Sequence, residues 1–155
     1  MDAAKCPSCG ATGSGLVCTY CGSRIRESVD ETLALVEFHQ LLGSESGENL
    51  AKLLKHGYLP AAEGPLIEAG FKCLPYMGDD IHSDEGEGAA LRLETVVARL
   101  RVGNETEQST KAIAEFESHL KRYRTDQKQS TRMGCAILVV IPLLILAVIL
   151  WWVFA

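Results

Sequence analysis

Apolar residues recur at helical spacing through most of the chain, and the pattern changes character only near its two ends. In SVDETLALVEFHQLLG, Val29, Leu33 and Val36 share one helical face, and Leu35, Phe38, Leu41 and Leu42 widen it. Ser28 and Glu31 stand at capping-box spacing before this run, and Gly43 is expected to end it. ENLAKLLKHG places Leu50, Leu53 and Leu54 together. LLKHGY and LIEAGF each set a glycine before an aromatic, so Gly57 and Gly70 are expected to turn left-handed at helix C-termini with Tyr58 and Phe71 folding back. Two similar ends do not make a repeat. Pro60, Pro65 and Pro75 divide the region into short helices, with Pro65 suited to a first turn. AALRLETVVARLR aligns Leu93, Val96, Val97 and Leu100. NETEQSTKAIAEFESHLKRYRTDQ starts with Asn104 and Glu107 in a cap-like pair and carries Ile113, Phe116, Leu120 and Tyr123 at 3-4-3 spacing. That stripe suits packing on the domain's own helices better than a short coiled coil. The predicted fold class is mainly α, with a compact helical domain over residues 27–127.

The pattern breaks at Met133. From there to Ala155 run 23 residues without a charge. At about 1.5 Å per residue this is ~34 Å of helix, enough for a bilayer core about 30 Å thick. A transmembrane helix is expected over 134–155, after a basic juxtamembrane linker at 128–133. Pro142 would bend such a helix, which membranes tolerate, and Trp151 and Trp152 suit its far interface. Cys135 at the near interface suits apolar filling, or S-palmitoylation as the alternative. No strongly polar side chain lies in the span, so no ion or proton path is expected through it.

Charge is segregated along the chain. Residues 27–118 hold 18 acids against 7 bases, whereas 119–132 hold Lys121, Arg122, Arg124, Lys128 and Arg132 against Asp126. The acidic middle disfavours broad nucleic-acid binding. The five bases directly before the apolar run are expected to meet lipid, and by the positive-inside rule they place the N-terminal domain on the cytoplasmic side. MDAAKCPSC has no apolar core of signal-peptide length, so the layout expected is tail-anchored.

The other end is CPSCGATGSGLVCTYCG, residues 6–22, where Cys-x-x-Cys-Gly occurs twice. Each pair can aim two sulfurs at one ion. Gly10 and Gly22 permit a positive φ, so that backbone N–H groups turn toward the thiolates. Pro7 stiffens the first turn, and GATGSG supplies a flexible return. Four thiolates in a tetrahedral site favour Zn²⁺. On CPSCG and CTYCG, over residues 5–26 only, the sequence resembles the zinc-ribbon family. The resemblance implies Cys6, Cys9, Cys18 and Cys21 as ligands of one structural Zn²⁺, in a module (1–26) that contacts proteins or nucleic acids. Two alternatives stay open. Rubredoxin-like iron uses similar knuckles, though further apart and within an aromatic core this chain lacks. A redox dithiol needs a βαβ setting that is also missing.

The remaining candidates carry little chemistry. GDDIHSDEGEG, residues 78–88, fails the calcium-loop pattern and is expected to be a solvated loop. His39, His56, His82 and His119 are scattered. Lys72 beside Cys73 could lower a thiol pKa, but buried packing is the expectation. No nucleotide loop, GxSxG or HExxH occurs, and no catalytic residue is assigned. The expected function is therefore binding: a membrane-tethered zinc-ribbon adaptor, or a subunit of a membrane assembly, holding protein partners. Nucleic-acid binding through Lys5, Arg24, Arg26 and Tyr20 is the alternative. An enzyme with a site in the helical domain, or an iron electron carrier, are further ones.

Overall fold

The computed structural model describes residues 4–25, 30–78, 82–103 and 106–131 with their side chains, and continues as helical backbone to Phe154. Two short antiparallel strands, β1 (Ala4–Lys5) and β2 (Thr12–Gly13), pair Ala4 with Gly13 and Lys5 with Thr12. Among the described residues five helices follow: α1 (Glu31–Ser44), α2 (Gly47–His56), α3 (Glu63–Phe71), α4 (Asp84–Val102) and α5 (Glu107–Phe154). A 3₁₀ turn, Leu74–Met77, lies between α3 and α4. The fold is mainly helical with a small N-terminal hairpin, as the sequence pattern predicts.

Helix α4 is central, with α2, α3, α5 and the 3₁₀ turn all packed on it. Leu93, Val96 and Leu100 point into the core together with Leu50, Leu53 and Leu54 of α2 and Phe116 of α5. Each such side chain contributes about 1.5–3 kcal/mol of transfer free energy. Helix α2 runs alongside α4 in the same direction: the Glu85 carboxylate accepts the Gly47 N–H at 2.8 Å, and two turns later Arg92 reaches the carbonyls of Leu54 and Gly57. Gly88 lets them approach, since a Cβ there would lie 2.8 Å from the Ala51 carbonyl oxygen. Helix α5 returns antiparallel to α4, joined by Arg124 to Glu87 and Glu94 (2.8 and 3.0 Å) and by Arg101 to Glu117. Phe116 is fully buried with Phe71 edge-on at 4.9 Å, and Tyr123 is buried, with Ile113 and Leu120 at the margin. The 3-4-3 stripe thus packs on the domain's own helices.

Several expectations about helix ends and faces are corrected. Helix α1 is capped by Asp30, whose carboxylate accepts the Thr32 N–H at 2.9 Å; Ser28 lies outside the described residues. It runs through Gly43 to Ser44. Its buried face is Ala34, Leu35, Phe38 and Leu42, while Leu33 and Val36 are 56% and 46% exposed. The helix is apolar nearly all round, so periodicity alone could not choose the face. Gly57 caps the C-terminus of α2 as expected, its N–H donating to the Leu53 carbonyl, but at φ −72° it is not left-handed, and Gly70 lies inside α3. Both are there for space, because a Cβ would meet the Phe38 ring at 2.4 Å from Gly57, and the Phe116 ring at 2.5 Å from Gly70. The acidic stretch 78–88 is not all loop. From Asp84 it forms the first turns of α4, with the Ser83 hydroxyl accepting the Gly86 N–H at 3.0 Å and the acids at the positive end of the helix dipole. At the start of α5, Thr106 and Ser109 cap reciprocally, each hydroxyl accepting the other's N–H (2.9 and 3.0 Å); Asn104 is outside the described residues.

Among the described residues no helix is long and apolar enough to cross a membrane. The apolar stretch 134–155, with Cys135, Pro142, Trp151 and Trp152, lies outside the residues whose side chains are described.

Candidate metal centre

The two Cys-x-x-Cys-Gly segments fold into two copies of one turn. Gly10 N–H donates to the Cys6 carbonyl at 2.9 Å and Cys6 N–H to that of Ala11 at 2.8 Å; Gly22 N–H donates to Cys18 at 2.8 Å and Cys18 N–H to Ser23 at 2.8 Å. Each turn closes through a left-handed glycine, Gly10 at φ 76° and Gly22 at φ 69°. The β1–β2 pairing closes the base of the first turn, and an isolated bridge between Val17 and Arg24 closes that of the second.

All four sulfurs then lie within 4.8 Å of one another. Cys6 Sγ is 3.6 Å from Cys21 Sγ, and Cys9 Sγ is 3.7 Å from Cys18 Sγ. These separations are too long for a disulfide, about 2.05 Å. They fit the edge of a tetrahedron, which is about 3.8 Å for Zn–S bonds of about 2.3 Å. Cys6, Cys9, Cys18 and Cys21 are positioned to hold one metal ion, as their spacing predicts, in a zinc-ribbon-like module. Cys6 and Cys18 are buried, Cys21 is half-buried and Cys9 is exposed. The sulfurs hold protons unevenly. Burial pushes Cys21 up, but the Ser23 hydroxyl and N–H, with the Cys9 and Cys6 thiols, bring it down to about 6. The Ala11 N–H pulls Cys9 down, yet Cys21, desolvation, Cys18 and Cys6 together push it up to about 12. A bound cation would favour the thiolate at every position. Four sulfurs complete a tetrahedral shell, which leaves no coordination position for a substrate.

The ribbon is seated on the helical domain. Val17 is 2% exposed and belongs to the helical core, with Leu16 against its edge. The Glu37 carboxylate of α1 accepts the Leu16 N–H at 3.0 Å and the Val17 N–H at 3.3 Å. Past the second knuckle, the Gly22 carbonyl accepts the Tyr58 N–H at 2.7 Å. A Cβ on Gly22 would meet Phe38 at 2.9 Å and Leu53 and Gly57 at 3.0 Å, so two glycines and one aromatic ring make this contact. Arg24 pairs with Glu31 at 3.9 Å and lies over the Tyr58 ring, and Glu31 also accepts the Ala61 and Ala62 N–H groups before α3.

Behind the contact sits Arg92, 2% exposed. Its guanidinium donates to the carbonyls of Leu54, Gly57 and Tyr58 and stacks 4.6 Å from the Phe38 ring centre. Burial lowers its pKa to about 10, which leaves it cationic at neutral pH. It holds the corner between α2 and α3 that receives Gly22. Sequence patterning missed Glu37 and Arg92, because charged residues on a helix ordinarily mark its solvent face.

The other candidate residues are not gathered into a site. Cys73 is buried, donates to the Ala69 carbonyl at 3.2 Å, and is pushed up to about 11 by burial despite nearby Arg92. His82 hydrogen-bonds Ser130 at 2.8 Å. His39 is lowered by burial first and by Lys72 next, against an opposing pull from Glu68. His56 and His119 line separate shallow clefts, with Lys52 and Asp84 in one and Arg122 and Asp126 in the other. Of the five bases before the apolar stretch, Arg124 is engaged by Glu87 and Glu94, and Arg122 stands 3.9 Å from Asp126.

The fold and site define a zinc-ribbon-like module, with four cysteines positioned to hold a metal ion, built onto a helical domain. No family model, curated protein or solved structure matches the chain.

Proposed function

We propose that this chain is a membrane-tethered adaptor, or a subunit of a membrane-associated assembly, whose four cysteines hold one structural Zn²⁺ and whose soluble part binds protein partners on the cytoplasmic face. The observation that carries the reading is the closed four-sulfur shell seated on the helical core. Such a centre has no vacant position for chemistry and instead fixes the shape of the surface around it. The tether is supported by the uncharged run from Met133 to Ala155 and the bases before it. Lys121, Arg122, Lys128 and Arg132 are the lipid-facing candidates; Arg124 is committed to two carboxylates of α4. A nucleic-acid role is less well supported, since Arg24, one of its three ribbon bases, is drawn to Glu31 and Tyr58. Affinity purification from membranes in mild detergent tests the proposal. A stoichiometric protein partner in the membrane fraction is expected, whereas recovery of the monomer alone, or of the chain from the soluble fraction, contradicts it.

A further inference from the structure

We propose that the four-cysteine centre is also a peroxide-oxidisable site, in which disulfide formation across the two knuckles expels the metal and undocks the ribbon from α1 and α2. This rests on the zinc reading above. The sulfurs differ in access: Cys9 is exposed, Cys21 is half-buried, and Cys6 and Cys18 are buried. Each accessible sulfur has a buried partner in the other knuckle, Cys18 for Cys9 at 3.7 Å and Cys6 for Cys21 at 3.6 Å. The Cys9 thiolate attacks a peroxide oxygen; the O–O bond breaks, hydroxide leaves and a sulfenic acid forms. The Cys18 thiolate then attacks that sulfur, forming the S–S bond and releasing a second hydroxide. Two thiolates lose two electrons, and one hydrogen peroxide becomes two hydroxides, which water protonates. A bound ion would then be left with Cys6 and Cys21 alone, and a second peroxide would convert these by the same steps.

The structural effect follows from where Cys18 sits. Its sulfur must close on Cys9 by about 1.6 Å to reach disulfide length. Val17, buried in the helical core, precedes it, and Gly22, whose carbonyl holds the Tyr58 N–H, ends the same knuckle. Within the described ribbon the buried apolar residues are Cys6, Val17 and Cys18 alone, so its seat on the helices depends on the knuckle geometry that the shorter S–S bonds change. Phe38 and Leu53, 0% and 2% exposed beneath Gly22, would be uncovered. The helical domain keeps its α4-centred packing.

The test uses the full zinc-loaded chain in detergent micelles, titrated with hydrogen peroxide. Zinc release, disulfide mapping and amide exchange are read on the same samples. Expected are loss of the zinc by two peroxides per chain, Cys9–Cys18 and Cys6–Cys21 linkages, and exchange at Tyr58, Leu16 and Val17 faster by about tenfold or more, with the centre of α4 unchanged. Zinc retained under peroxide that fully oxidises added glutathione overturns the proposal. So does zinc loss with unaltered exchange at those three amides, or pairing within each Cys-x-x-Cys. A reduced chain that holds no zinc before peroxide is added refutes the underlying zinc reading itself, and this proposal with it.

Discussion

Gly10 and Gly22 hold the same place in the two knuckles and nearly the same backbone, φ 76° and 69°. Replacing either with alanine forces a left-handed residue, at roughly 1–2 kcal/mol. Their surroundings differ. A Cβ at Gly10 meets nothing within 4 Å, whereas one at Gly22 meets Phe38 at 2.9 Å and Leu53 and Gly57 at 3.0 Å. The Gly57 backbone cannot easily yield, because its N–H is held by Leu53 at 2.8 Å and its carbonyl by Arg92 at 3.1 Å. Overpacking of this kind adds about 1–3 kcal/mol. Gly22→Ala should therefore exceed Gly10→Ala by about 1–3 kcal/mol. Urea unfolding of the zinc-loaded chain in detergent, followed by helical circular dichroism, measures both. Equal costs would refute the docking of the ribbon on α1 and α2, because the conformational penalty is common to the two sites.

Other outcomes follow from the same contacts. Glu37→Ala should cost about 1–3 kcal/mol and speed amide exchange at Leu16 and Val17, the N–H groups its carboxylate accepts. Gly70→Ala should destabilise by about 1–3 kcal/mol, and Phe116→Leu in the same chain should recover part of that, because the clash is with the Phe116 ring; strict additivity in urea melts would contradict this packing. Cys73 has a folded pKa raised from 9.0 to about 11, so above pH 9 the unfolded chain releases a proton that the folded chain keeps. Stability should fall between pH 9 and 11 by up to about 3 kcal/mol, and Cys73→Ala should flatten that part of the pH profile.

The parts legible in the sequence are those written in local spacing. Two Cys-x-x-Cys-Gly turns need only their own residues to aim four sulfurs, and the structure gathers those four. The apolar stripes of α2, α4 and α5 likewise marked the faces that are buried. Illegible were the contacts made by what a residue lacks, or by charge in an unusual place. Gly57 does end α2, but it also serves as clearance for Phe38, and Gly70 resembles a helix terminator yet lies inside α3 as clearance for Phe116. Glu37 and Arg92 resemble solvent-facing charges, but one binds ribbon N–H groups and the other satisfies carbonyls at the end of α2. The acidic stretch 78–88 suggested a solvated loop, whereas the helix dipole and Ser83 favour a helix start at Asp84.

The central claim is that one zinc ion, bound by Cys6, Cys9, Cys18 and Cys21, holds the ribbon against the helical domain. Metal analysis of the reduced chain tests it most directly. One equivalent of zinc, lost on Cys18→Ser substitution together with faster amide exchange at Tyr58, is the expected result. Zinc well below one equivalent, or iron in its place, would contradict it.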